Sequence, residues 1–185
     1  MMTGSPVPGA APVPVGMRSP ERAVAALRIV IGLWFLKTVV TKLGVVLAWG
    51  VLPLPGASSR WMATMPKLLT RYASNNPIDF YRSFVLDTVV PHSHTFAQLT
   101  AYGETAVGVG LTLGMFTVPA SVLGLWLVLN YGLLTGYMGP SQQGFHVLLA
   151  AGMIIFIVVR AGRTWGVDEW MRRRWPERGV VRGLT

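Results

Sequence analysis

AVAALRIVIGLWFLKTVVTKLGVVLAW, residues 23–49, decides the fold. Its 27 residues hold only three charged side chains, Arg28, Lys37 and Lys42, and a bilayer takes about 20 residues at roughly 1.5 Å each. Ser19-Pro20-Glu21 precede it, with Ser19 placed to cap a helix and Pro20 to take its first position. The pattern predicts a spanning helix over 23–49. It does not read as a secretory signal, because the charges follow the N-terminal tail and Lys37 interrupts the apolar run. The segment is therefore expected to stay in the mature protein.

Three further stretches, 95–116, 118–138 and 144–159, are apolar enough to join it. The connections, Thr117 and Gly139–Gln143, are short enough to force antiparallel neighbours. The fold expected is all-α, an integral membrane four-helix bundle over 21–170, with a helical extracytoplasmic loop over 53–94 between its first two spans. In that loop Asn76-Pro77-Ile78-Asp79 reads as a cap, a first-turn proline and a first-turn acid. Phe80, Phe84 and Val85 then line one face of a short interfacial helix. Residues 1–20 hold five prolines and read as a flexible, extended cytoplasmic tail. Residues 171–185 form a basic tail.

Composition agrees. Hydrophobic residues make up 52 % of the 185 positions and charged residues 12 %, about half the charged share usual for a soluble domain. Cysteine is absent, which removes disulfides, thiolate zinc sites and iron–sulfur clusters. The net charge of +9 hints at nucleic acid, but seven of the sixteen basic residues lie in the last 26 positions beside long uncharged stretches. Topology and anionic lipid explain that distribution better than nucleic acid does. The two ends carry ten Lys and Arg and the 53–94 loop four, so both termini are expected in the cytoplasm.

Ionisable groups inside spanning segments cost roughly 2.5–3.5 kcal/mol each, and here they line up in depth. Measured from the cytoplasmic end, Lys42 lies ~21 Å up its helix, Glu104 ~20 Å, His146 ~21 Å and Asn130 ~18 Å. Each helix thus offers one polar group to a common layer. Arg28, Gly32, Phe35, Val39 and Lys42 share a helical face. Lys37 points elsewhere, to snorkel or to face a neighbouring subunit such as a second copy. Glu104 shares a stripe with Gly108, and Gly103, Gly110 and Gly114 add small positions that let helices approach closely. A Lys42–Glu104 pair facing the bundle interior is expected. Arg28 reads as an anchor at the cytoplasmic interface. His146 is the only histidine inside a span, so no haem-ligand pair is formed, and neither haem nor metal is expected.

These residues resemble the DoxX/DoxD-like family of four-helix membrane proteins, which includes the small subunit of thiosulfate:quinone oxidoreductase. The likeness rests on Leu27-Arg28, Gly32, Phe35 and Lys42-Leu43 in the first segment and on Gly103-Glu104, Gly108 and Leu113-Gly114 in the second. Gly162-Arg163-Thr164-Trp165-Gly166-Val167-Asp168 is similar to the family's Gly-Arg-x-x-x-x-Asp ending. The long loop with Trp61, Asn76-Pro77 and Pro91 is closer to the DoxD-type branch, and Val39 departs from a glycine common in the family. The resemblance covers about 23–170 and implies a respiratory-chain protein of a bacterial or archaeal cytoplasmic membrane. Its ligand would be a quinone and its partner a redox subunit. Glu104 and His146 would carry protons, Lys42 would stabilise developing negative charge, and Asn130 would help bind the head group. The other reading is a non-catalytic assembly subunit of a larger membrane complex. Arg28, Gly32, Gly108, Arg163 and Asp168 are then structural positions.

Overall fold

The computed structural model describes residues 20–48 and 52–175. The tail over 1–19, the end of the first apolar run at Trp49 and the basic tail beyond 175 lie outside the described residues.

Helix α1, Pro20–Thr41, opens with Pro20 and Glu21 in its first turn and buries Ala25, Arg28, Ile31, Gly32, Phe35 and Thr38. That spacing of three and four is one helical stripe. The helix ends at Thr41 rather than running to residue 49. Leu43–Ala48 forms strand β1, paired antiparallel with β2, Leu52–Ala57, in the register Leu43↔Ala57. The correction has a local cause. Gly44 is a poor helix former, β-branched Val45 favours extended backbone, and Pro55 on the partner strand is tolerated because a two-stranded ribbon is all edge. The chain is therefore predominantly helical rather than all-α.

The segment expected as an outer loop is ordered. Ser58 caps α2, Ser59–Ala73, by accepting from Trp61 N at 3.2 Å. A short helix α3, Asp79–Ser83, runs into a π-helical turn over Phe84–Val89. Tyr81, Val85 and Val89 face inward, while Phe80 and Phe84 are exposed, so the buried face is not the one expected. The helix starts at Asp79, two residues later than a cap at Asn76 would place it. Asn76 is instead a buried tie. Its Oδ1 accepts from Ile78 N at 2.9 Å, and its amide donates to Leu133 O at 2.7 Å.

Helix α4 is Ser93–Leu113, α5 is Thr117–Thr135 with a 3-10 turn over Gly136–Met138, and α6 is Pro140–Val159. A 3-10 turn, Ala161–Arg163, leads to α7, Val167–Arg174. The four long helices form a ring in which α1 packs on α4, α4 on α5, α5 on α6 and α6 back on α1. Ile31, Phe35, Val107, Leu111, Val128, Met153 and Phe156 fill its centre. A second core, with Ala57, Met65, Tyr81, Val85, Ala97, Ala101 and Leu134, joins the hairpin, α2 and α3 to α4 and α5. Three helices, Pro20–Thr41, Thr117–Met138 and Pro140–Val159, are long and apolar enough to cross a membrane. Helix α4, at 21 residues, is the fourth member of the ring and a more polar one.

The α1–α4 contact rests on two reciprocal glycines. A Cβ on Gly32 would lie 2.6 Å from Thr112 N, and one on Gly108 would lie 2.7 Å from Leu36 N. Gly108→Val is expected to force these backbones apart at a cost of about 1–3 kcal/mol, read as a lowered unfolding midpoint in detergent. Tyr81 provides a pH test. Its hydroxyl donates to Asn130 O at 2.9 Å, and burial pushes its pKa up to about 12 from an ordinary value near ~10. A raised folded-state value means full stability below about pH 10, lost as pH climbs toward the folded value. A spectrophotometric titration of wild type against Tyr81→Phe should resolve one phenol ionising near pH 12.

Candidate binding site at Glu104

Glu104 occupies the inward stripe of α4 together with Ala97, Ala101, Gly108 and Leu111, and only 6 % of it is exposed. Small residues on both sides of it let α1 and α5 come close. Three donors converge on its carboxylate. Lys42 Nζ lies 2.7 Å from both Oε1 and Oε2, the Thr38 hydroxyl donates to Oε2, and the Tyr131 hydroxyl donates to Oε1. A buried carboxylate is costly unless paired and hydrogen-bonded, and here charge-assisted bonds supply both. Lys42 sits just past the end of α1, with Nζ 4.4 Å above the Trp61 ring, a cation–π contact.

A cleft of about 350 Å³ opens beside this cluster, with Thr38, Lys42, Glu104, Tyr131 and His146 on its walls and Trp34 and Phe145 at its exposed rim. His146 Nδ1 lies 2.7 Å from Gln142 O. A carbonyl only accepts, so Nδ1 is the donor in this bond and Nε2 is not engaged by it. A second, mostly apolar cavity of about 240 Å³ lies under α2, lined by Trp61, Met65, Leu69 and Leu134. Lys42, Tyr131 and His146 belong to both.

Lys42, Glu104 and His146 therefore come together as the sequence suggested. Asn130 does not join them. Its amide donates back to Trp126 O at 2.8 Å, and the contribution of α5 comes from the next residue, Tyr131. The one-residue step turns the side chain by about 100°. Lys37 also departs from expectation, because it lines the same cleft as Lys42. The helical angle carried through to Lys42, whose N–H still donates to Thr38 O at 2.8 Å, whereas Val39, expected on the same face, is exposed and Thr38 is buried in its place. Thr38 and Tyr131 were missed. Thr38 was visible as the next step of the 28–31–35 stripe, whereas a tyrosine in an apolar helix carries no such signal.

The remaining motif residues gather at the opposite end of the ring. Arg28 is fully buried and donates to Ala161 O at 2.6 Å, Thr164 O at 3.1 Å and Trp165 O at 3.1 Å. It is an internal clamp rather than an interface anchor. Asp168 accepts from Phe116 N at 2.7 Å and Thr117 N at 2.9 Å, and so caps α5 from a distant part of the chain. Gly114, in left-handed conformation at φ 62°, lies in the same knot, where a Cβ would come within 2.7 Å of Arg28 Nη1. Arg163, by contrast, lines a cavity with Arg160, Arg172 and Glu169. Burial and repulsion from Arg160 and Arg172 lower its pKa. Glu169 is held below the usual carboxylate range by its hydrogen bond from Arg173, at 2.7 Å, and then by Arg172.

No protein-family model, curated protein or solved structure matches this chain.

Removing Glu104 tests the cluster. Glu104→Ala is expected to cost about 3–5 kcal/mol, because it strands a partly buried ammonium. Combining it with Lys42→Met should recover part of that loss. Denaturant titration of the three variants against wild type in one detergent checks both.

Proposed function

We propose that this chain is a DoxX-like membrane protein that crosses the bilayer four times and binds a quinone head group at the Glu104 cleft. It serves a redox partner that carries the electrons. The observation behind this reading is the cluster of Lys42, Glu104, Tyr131 and His146 lining one cleft of the four-helix ring. Three of the four ring helices have the length and hydropathy of spans, and the ring needs α4 as its fourth. The ten basic residues at the two ends against four in the 53–94 region favour cytoplasmic termini. The proposed setting is a bacterial or archaeal cytoplasmic membrane.

The cleft suits such a head group. Trp34 and Phe145, with ring centroids 5.7 Å apart, supply aromatic surface at the rim, and the polar wall supplies both donors and an acceptor. A bound quinone accepts two electrons from the partner and two protons. Glu104 then holds a proton at a carboxylate oxygen already bridged to Tyr131, and Lys42 steadies negative charge on the head-group oxygen. His146 passes a proton at Nε2, since Nδ1 is engaged by Gln142. Whether the partner oxidises thiosulfate is a separate matter from this cleft.

One observation favours the assembly reading. All three donors on Glu104 come from this chain's own α1 and α5 regions, as they would in a device that only sets helix register. Glu104→Gln separates the two, because it keeps the packing and removes the charge. Wild type and variant would be purified from native membranes in mild detergent, with co-purifying lipids and subunits identified by mass spectrometry. The quinone reading expects quinone and a redox subunit with wild type. It expects the variant to retain the subunit while turnover falls at least about a hundredfold. Loss of the complex, or a complex without quinone, supports the assembly reading instead.

A further inference from the structure

Lys37 is a charge that the cluster does not use. It lines the cleft with Lys42 and Glu104, yet both Glu104 oxygens are engaged by Lys42 at 2.7 Å. Among the described residues no carboxylate lies within ion-pair distance of Lys37. Its ammonium rests 3.9 Å above the Trp34 ring, and Trp34 meets Phe145 edge-on across the rim. Trp34, Lys37, Thr38 and Thr41 form one stripe of α1 facing the cleft. The cleft thus carries two ammonium groups against one carboxylate, and the excess charge is held at the aromatic rim. A ring face attracts a cation without neutralising it, so a neutral head group would leave that charge uncompensated.

Resting on the quinone reading above, we infer that the cleft selects a planar, lipid-soluble head group bearing an ionised oxygen, of the hydroxyquinone class, with Lys37 as its counter-ion. The deep oxygen of such a ligand meets the Lys42–Tyr131 wall, and the ionised one meets Lys37 between Trp34 and Phe145. Lys37 is a specificity-determining residue in this arrangement. It lies outside the Glu104 cluster, so its replacement leaves the hydrogen bonds that join the helices intact.

Two naphthoquinones of nearly equal size test the inference. Hydroxynaphthoquinone is ionised at neutral pH, whereas menadione carries a methyl in place of the hydroxyl and stays neutral. Equilibrium dialysis of the full chain in a neutral detergent would compare both ligands on wild type, Lys37→Gln and Lys37→Arg. Wild type should prefer hydroxynaphthoquinone by about tenfold, the order of one charge-assisted hydrogen bond. Lys37→Gln should abolish that preference by bringing the two affinities together, and Lys37→Arg should keep it. Equal affinities in wild type, or an undiminished preference in Lys37→Gln, overturn the inference and leave the quinone reading standing. A wild-type protein that binds neither ligand overturns the quinone reading and this inference with it.

Discussion

Burying one carboxylate sets the terms for half of this molecule. Glu104 lies in the middle of α4, and every neighbour it has answers the cost of keeping a charge out of water. Ala97, Ala101 and Gly108 are small, so α1 and α5 can approach closely enough for Thr38 and Tyr131 to donate. The chain after α1 must then turn back for Lys42 to reach both oxygens, and the β1–β2 hairpin fixes that turn, with Ser58 N donating to Lys42 O at 2.8 Å. Trp61, at the start of α2, covers the ammonium. The outer segment is thus tied to the ring through the polar cluster as well as through its own apolar core.

The other end of the ring solves a related problem with backbone groups. Helix termini leave N–H and C=O groups without partners, and in an apolar surrounding water cannot supply them. Arg28 takes three carbonyls at the turn after α6, and Asp168 takes two N–H groups at the start of α5. Each residue serves an element far from it in sequence. Gly114 leaves the space the knot needs. Arg28 in the first helix and Asp168 near the end of the chain therefore hold the two halves of the ring in one register.

What could be read from the sequence follows the range of the interactions. Helices α1, α5 and α6 were legible because a long apolar run has few alternatives, and Lys42, Glu104 and His146 stood out because ionisable groups are rare in such runs. The hairpin was not legible. Residues 43–48 are as apolar as the helix before them, and the proline-rich partner that pairs with them acts only after the chain has turned. The start of α3 was misplaced because Asn76 Oδ1 accepts from Ile78 N in a turn ahead of the helix while its amide donates to Leu133 O, 57 positions away. The same long reach hid the role of Arg28, since nothing near it in sequence shows that its partners are carbonyls of residues 161–165.

The two clusters differ in a way that bears on function. The Arg28–Asp168 knot binds side chains to the protein's own backbone, and although Ala161 and Thr164 border the charged cavity, Arg28 and Asp168 are themselves buried and line none of the cavities among the described residues. The Glu104 cluster binds side chains to one another and borders three cavities: one with the polar wall and an aromatic rim, one mostly apolar, and one between Lys42 and the start of α2. A device that only sets register needs closure, which the knot has. A carboxylate that must exchange a proton or meet a ligand needs an open side, donors that can rearrange and a neighbour able to relay. Lys, Tyr and Thr side chains can redirect their protons where backbone amides cannot. His146 stands in the wall between the first two cavities with one nitrogen held and one available. The first cluster satisfies backbone groups at helix ends, whereas the second joins side chains able to exchange protons beside open space.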